Sequence, residues 1–477
     1  MDGNTKIIDL NGNTIMPSFI DAHSHIFALA KQLLSFSIDN LTSIEEILNK
    51  MVEYRKGNKI EDWFIVNGYD YTVLKENRNI TKQELDKVFP DIPVIIENKS
   101  RHNGIVNSKA LEKLQITKDT KDPVGGKILY ETGYLEEDAF IIALKKVPLP
   151  KIENIVRAFS KAQKIYASYG ITTAQEGVIT AELAQIYKLL AENNEIFLDL
   201  IGYMEKNQVE EFKKILLEHI NRYKNNLKIS GIKIFLDGSL QARTAWLRTP
   251  YMNEENYCGY GIMENNEIEK IIQKCKEENL QILAHCNGDK ASEQYINVIK
   301  QVVELKRPVM IHAQTLALDQ LEDVKKYNII PSFFIGHVYY WGDTHIKNLG
   351  LERAEHISPA YSSLKKNILF TFHQDTPVTA PNMFETIWCA VNRRTRNGIE
   401  LGKEEEIPVL DAIKAVTINS AYQYGEDSIK GSIKEGKKAN LIIVNKNPLK
   451  IDKNDIKNIK ILETIKDGKS IYNSNVL

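Results

Sequence analysis

From about residue 150 onward, short apolar runs alternate with amphipathic helical segments, and no other feature constrains the fold as tightly. The runs lie at 170–174, 196–203, 230–235, 281–285, 308–312, 329–334 and 368–372. An eighth, Phe-Ile-Asp-Ala-His, stands at 19–23. A parallel strand can reach its neighbour only through a crossover, usually helical, so each run with its following helix reads as one βα unit. Eight such units predict an α/β fold, a (β/α)8 TIM-like barrel built from 17–40 and 150–424.

Residues 41–149 separate the first two runs, far too long a stretch for a plain connection. They carry strand-like runs of their own at 63–67 and 93–97, and predict an inserted α/β subdomain over the barrel mouth. After residue 425, runs with Gly turns at 430–444 and 461–472 read as short strands. Together with 6–10 and 14–16 they predict a small β-sandwich drawn from both termini, 1–16 and 425–477. Little chain precedes Pro17, so the N-terminal part of that sandwich reads as truncated. Its exposed edges would then be covered by upstream chain or by association, for instance as a homodimer.

Composition excludes several partner classes. The 477 residues are 26% charged with a net charge of −1, which favours neither nucleic acid nor an electrostatic membrane surface. No apolar run is long enough to span a bilayer, and the polar opening Met-Asp-Gly-Asn-Thr-Lys lacks a signal core, so a cytoplasmic location is expected. Cys258, Cys275, Cys286 and Cys389 are scattered with no CxxC, so neither disulfides nor thiolate zinc sites are expected. Cys286 follows a histidine of interest, and a small buried filler is the preferred reading over a nucleophile.

Barrel active sites lie at the C-terminal strand ends. Read in order, those ends carry His23 and His25, then Gln175 and Glu176, Tyr203, Lys233, His285 and His312. His337 follows the seventh strand, and His373 and Asp375 follow the eighth. His23 and His25 are spaced i, i+2, so they share a strand face with Asp21. A ring of histidines with a lysine and an aspartate predicts a metal site.

Lys233 lies between Ile232 and Ile234 and is expected to point into the barrel, where an unpaired ammonium is costly. A carbamate formed with CO2 would instead be an anionic bridge between two metals; pairing with Asp237 or Asp375 is the alternative. Asp375 can bind metal and accept a proton from water, or can cap a helix before Thr376-Pro377. His337, His345 and His373 could line the pocket or be structural. His219 and His356 are expected at the surface, and Asp289 in a capping role.

Several segments together resemble the amidohydrolase superfamily, and within it the YtcJ-like branch that includes N-substituted formamide deformylases. They are Asp-Ala-His-Ser-His (21–25), Pro-Val-Gly-Gly-Lys-Ile (123–128) and Gly-Ile-Thr-Thr-Ala-Gln-Glu-Gly (170–177). The others are 232–240 with Arg243-Thr244-Ala245 and Pro250-Tyr251, and 430–442. The resemblance implies that His23 and His25 bind the more buried metal and that His285 and His312 bind a second. Lys233 would be the carbamate bridge, and Asp375 both ligand and general base. His102, Arg243, His337, Trp341 and His373 are the expected substrate-binding residues.

Two motifs depart from the family pattern. Ile311-His312-Ala313-Gln314 stands where Glu-His-Ala-Gln is common, and His373-Gln374-Asp375-Thr376-Pro377 where Gly-Ser-Asp-Ala-Pro is common. With Tyr339-Tyr340-Trp341-Gly342-Asp343, these resemble a sub-branch labelled exoenzyme regulatory proteins. The resemblance implies a metal-dependent hydrolase of a C–N bond, amide or N-acyl/N-formyl, in a small molecule. Two divalent ions are expected, zinc foremost, with iron or manganese also suited to the ligand set. A deaminase and a non-catalytic regulatory or binding protein are the alternatives. Mononuclear deaminases of the superfamily place a Glu three residues after the strand-five histidine, where this chain has Gly288. Loss of ligands would favour a binding protein, and every expected ligand is present.

Overall fold

A computed structural model describes residues 7, 9–39, 41–57, 60, 63–98, 103–123, 126–148, 150–302 and 304–475. It contains two compact units, Met1–Ala28 with Ser160–Leu477, and Leu29–Phe159.

The larger unit is built on eight parallel strands: β1 (Phe19–Ile20), β2 (Ile171–Ile179), β3 (Asp199–Glu205), β4 (Leu227–Phe235), β5 (Gln281–Cys286), β6 (Val309–His312), β7 (Ile330–Phe333) and β8 (Thr371–Phe372). Each is hydrogen-bonded to its neighbours in chain order. The first and last are joined beyond their C-terminal ends. The Asp375 N–H donates to the His23 carbonyl at 3.3 Å, and the His25 N–H donates to the Thr376 carbonyl at 2.8 Å. These two bonds place the His-x-His segment directly against the segment after β8.

The connecting helices follow from apolar spacing. Asn265–Glu277 buries Ile268, Ile272 and Cys275, and Val209–Leu216 buries Val209, Phe212 and Leu216, one stripe of each helix facing the sheet. Thr180 caps Ala181–Glu192, its hydroxyl accepting from the Leu183 N–H. Inside the barrel, Ile20, Ile201, Leu283, Val309, Ile311 and Ile330 form a common core. Tyr203 belongs to that core and not to the mouth. A register shift between Gly202 and Tyr203 interrupts the alternation, and the Tyr203 hydroxyl donates to Gln281, the first residue of β5, at 2.6 Å. His219, expected at the surface, is buried with Nδ1 3.1 Å from the Leu227 carbonyl; His356 is exposed.

The barrel floor carries a buried ion network. Lys430 pairs with Asp199 and, at 2.7 Å, with Glu426. Lys228 pairs with Glu426, and Lys466 reaches Asp199 at 2.9 Å. Burial alone would raise both carboxyl pKa values, but the neighbouring lysines outweigh it and hold both below the ordinary range.

Strands of both termini form one four-stranded antiparallel sheet in the order Thr14–Pro17, Leu441–Val444, Ile461–Lys466, Lys469–Asn473. Of the expected strand at 6–10, residues 7, 9 and 10 are not in a strand and the others lie outside the described residues. The smaller unit has a six-stranded mixed sheet in the order Phe36–Ser37, Phe64–Tyr69, Val94–Asn98, Asn103–Val106, Tyr134–Glu137, Gly126–Leu129. Apolar cores including Phe64, Val66, Leu85 and Phe89, and Ile95, Leu111, Leu135 and Phe140, pack against it. Among the described residues no helix is long and apolar enough to cross a membrane.

Removing one partner from the floor network leaves buried charge uncompensated. Glu426→Gln is therefore expected to cost about 3–5 kcal/mol in urea unfolding at neutral pH. The carboxylates have depressed folded-state pKa values, so their contribution is present above the ordinary carboxylate range and lost as pH falls through the depressed values. Wild-type and variant midpoints should accordingly converge on acidification. A constant gap would show that the network does not act through charge.

Candidate metal centre

His23 and His25 leave β1 on the same side, and β2 approaches them through Gly177. A Cβ there would lie 2.5 Å from His23 Cε1 and 2.8 Å from His25 Cε1, so any side chain would displace both rings. His23, His312 and Asp375 each offer a ligand atom, all within 4.8 Å of one another. Asp375 Oδ1 is 3.7 Å from His23 Nε2 and 3.4 Å from His25 Nε2, and Oδ2 is 3.9 Å from His312 Nε2. The His285 and His312 ring centroids are 4.6 Å apart. Lys233 Nζ, fully buried, is 3.4 Å from His23 Nε2.

Protein groups stand at the outer nitrogen of each ring, hydrogen-bonded at His23 and His312 and close by at His25 and His285. Gln175 donates its amide to the Ala22 carbonyl and the Tyr424 hydroxyl, so its Oε1, 2.5 Å from His23 Nδ1, must accept. The His23 proton is therefore on Nδ1 and a lone pair faces inward from Nε2. Glu176 Oε1 lies 3.5 Å from His25 Nδ1, while its other oxygen accepts from the Phe27 N–H and the Tyr187 hydroxyl. Asp237 Oδ1 lies 3.2 Å from His285 Nδ1, and the carboxylate also accepts the N–H groups of Asn287, Gly288 and Trp246. His373 Nε2 is 3.2 Å from His312 Nδ1, and Ser332 Oγ is 2.9 Å from His373 Nδ1.

The electrostatics call for a cation at the centre. Burial holds His23 and His312 neutral, their pKa values far below the ordinary range. At His25 burial again opposes charge, but the Glu176 bond and the Asp375 and Glu176 charges outweigh it and push the pKa up. Asp375 Oδ1 is buried and accepts no hydrogen bond among the described residues, although two imidazole Nε2 atoms face it. A carboxylate oxygen without a hydrogen bond, beside the inward Nε2 lone pair of His23, fits a divalent cation.

Two of these residues are held in uncommon backbone conformations. His312 has φ of 70° and Asp375 φ of 55°, both in the left-handed region that non-glycine residues rarely adopt. Asp375 caps no helix; the helix that follows, Met383–Asn392, is capped by Asn382. Asp237 is committed to His285 and its loop, and Lys233 makes no ion pair among the described residues. Burial pushes the Lys233 pKa down to about 8.

Among the expected substrate residues, His373 lies against His312, and His337 lies one ring further out, packed on Phe334 and Trp341. The Arg243 guanidinium donates to the Met252 carbonyl at 3.0 Å and pairs with Glu254 at 3.1 Å. His102 lies outside the described residues. Cys286 is buried, and burial pushes its thiol pKa far above the ordinary value, as suits a filler. Asp289 opens the helix Asp289–Ile299 and accepts the Arg248 N–H at 2.8 Å.

The sequence reading assigned no function to the residues behind the rings. Gln175 and Glu176 were legible only as strand-end residues and Asp237 only as an alternative partner for Lys233. Ser332 carried no signal.

The amidohydrolase family matches residues 6–472 of the chain. YtcJ of Bacillus subtilis (strain 168), described as an amidohydrolase, is 27% identical over 489 residues, covering 98% of this chain and 90% of that protein. The N-substituted formamide deformylase of Arthrobacter pascens is 23% identical over 485 residues, covering 97% and 89%. An uncharacterized metal-dependent hydrolase from Pyrococcus horikoshii OT3, of known crystal structure, superposes with a TM-score of 0.82 at 25% identity. That match covers 94% of this chain and 89% of that one.

If Gln175 sets the His23 tautomer, Gln175→Leu should weaken divalent-metal affinity by about 10- to 100-fold in competition with a chromophoric chelator. Unchanged affinity would remove His23 Nε2 from the ligand set.

Proposed function

The chain belongs to the amidohydrolase family, and on that premise we propose that it hydrolyses a carbon–nitrogen bond, that of an amide, N-acyl or N-formyl group in a small molecule. The observation that carries the reading is Asp375, a carboxylate with a buried oxygen that accepts no hydrogen bond among the described residues and faces the Nε2 atoms of His23 and His25. Its side chain keeps 15% exposure, where that of His23 keeps 1%, so the carboxylate is open to solvent while it faces the buried ring.

His23, His25 and Asp375 would hold one divalent ion, and His285 and His312 a second, with Lys233 between them. Zinc is the first expectation. Bound there, the ions supply an acidified water and polarise the scissile carbonyl. Asp375 takes the proton of the attacking water and returns it to the leaving nitrogen as the C–N bond breaks. The residues behind the histidines keep the rings from turning, so the geometry is set before the substrate arrives.

Lys233 deepens this reading. Its amine is buried and makes no ion pair among the described residues; burial favours the neutral form, outweighing the opposing charge of Asp375. A neutral amine adds to CO2, forming an N–C bond and losing one proton. The resulting carbamate is anionic and suited to lie between two cations.

Gly288 weighs against the mononuclear deaminase. A Cβ at that position would lie 1.8 Å from the Trp246 carbonyl oxygen, so this loop has no room for the glutamate such deaminases use.

Two measurements test the proposal. A hydrolysis screen over N-formyl, N-acetyl and longer N-acyl amines and amino acids, with metal content measured on the same sample, should find turnover and about two ions per chain. On a confirmed substrate, Asp375→Asn should retain metal yet lower kcat by at least about 100-fold. Unchanged turnover would show that Asp375 is not the proton acceptor.

A further inference from the structure

The helix His337–Leu349 begins where β7 ends, and it carries a second pair of histidines outside the ligand set. His337 and His345 are both buried, and His337 Nδ1 lies 3.0 Å from His345 Nε2. Their ring planes differ by 2° and their centroids are 5.2 Å apart. That spacing is one ring radius on either side of the 3.0 Å contact. The imidazoles therefore meet edge to edge in one plane, and a single in-line N–H···N hydrogen bond joins them.

One of the two facing nitrogens carries the proton, and the far side of His345 decides which. His345 Nδ1 is buried and has no hydrogen-bond partner among the described residues. If His337 donated, the His345 proton would have to sit on Nδ1 as an orphaned buried N–H, among the rarest groups in folded proteins. If His345 donates from Nε2, only an unshared lone pair is orphaned. Burial keeps His345 neutral, with its pKa pushed down to about 4, so the ring does not carry both protons. His337 is likewise held neutral by burial, with the neighbouring rings His345, His373 and His285 adding to the effect.

We infer that His345 is a positioning residue that holds His337 in the tautomer with its proton on Nε2. The Nε2 atom makes no hydrogen bond to any described residue. The ring stands beside the metal centre: it packs on Phe334, whose ring centroid is 5.4 Å from that of His373 and 6.4 Å from that of His312. His337 thus offers an N–H donor beside the Trp341 indole ring, 4.6 Å apart by centroid. Such a pair would suit a substrate with an acceptor oxygen, such as an acyl or formyl carbonyl, flanked by an apolar group. The inference rests on the proposed hydrolysis only for the identity of that substrate; the tautomer is independent of it.

The test is long-range 1H–15N correlation NMR on the zinc-loaded full chain with 15N-histidine, the His337 signals being assigned by their loss in His337→Gln. The expected result is a pyrrole-type Nε2 and a pyridine-type Nδ1 on His337. A pyridine-type Nε2 would overturn the inference. On a confirmed substrate, His345→Leu should lower kcat/KM about tenfold, while His345→Gln, whose amide can still donate, should recover most of the loss. Equal losses in the two variants would also overturn it. The expected NMR signature with no turnover of any N-acyl compound would leave the tautomer standing and refute the hydrolase reading.

Discussion

An imidazole can offer a lone pair to a cation only from the nitrogen that carries no proton, so its proton must sit on the other nitrogen, where a partner can fix it. Most of this protein's site architecture follows from that constraint. Gln175 accepts from His23, Glu176 and Asp237 stand at the outer nitrogens of His25 and His285, and His373 stands at His312. The backing groups are themselves committed: the Gln175 amide to Ala22 and Tyr424, and Asp237 to three backbone N–H groups. The rings are thus oriented by a network whose outer members lie in the barrel wall. The energetic cost of that order is met during folding, before any ligand binds.

The same constraint makes the departures from the family pattern intelligible. A histidine at 373, where glycine is common, fills the space beside His312 and takes the bond to its outer nitrogen, with Ser332 behind it. An isoleucine at 311, where glutamate is common, joins the barrel core with Leu283, Val309 and Ile330. The left-handed backbone at His312 and Asp375 shows how far the chain bends from strand geometry to bring these groups together. The two hydrogen bonds between the His23–His25 and Asp375–Thr376 backbones hold that arrangement at the seam of the barrel.

Much of the fold was legible because it rests on local periodicity. All eight strands could be read as apolar runs, although their ends shifted by several residues; the run at 196–203 became Asp199–Glu205. Tyr203 was misplaced because a register shift is a property of paired strands and leaves no mark on one strand's sequence. His219 was misplaced because burial depends on what packs over a loop. Lys228, Lys430 and Asp199 could not be recognised as a network, since each is an ordinary charged residue until the barrel floor brings them together.

The sequence by itself determined which groups can do chemistry and at which end of the barrel they gather. Strand alternation and strand order are short-range rules that place His23, His25, Lys233, His285, His312 and Asp375 on one rim. Only the tertiary structure decided what those groups are electrically. Which nitrogen of each ring carries the proton, whether Lys233 finds a carboxylate and which oxygen of Asp375 stays unsatisfied are set by partners distant in sequence. Some lie more than a hundred residues away, as with His23 and Gln175. Protonation answers to distance and burial, and both exist only once the chain has folded.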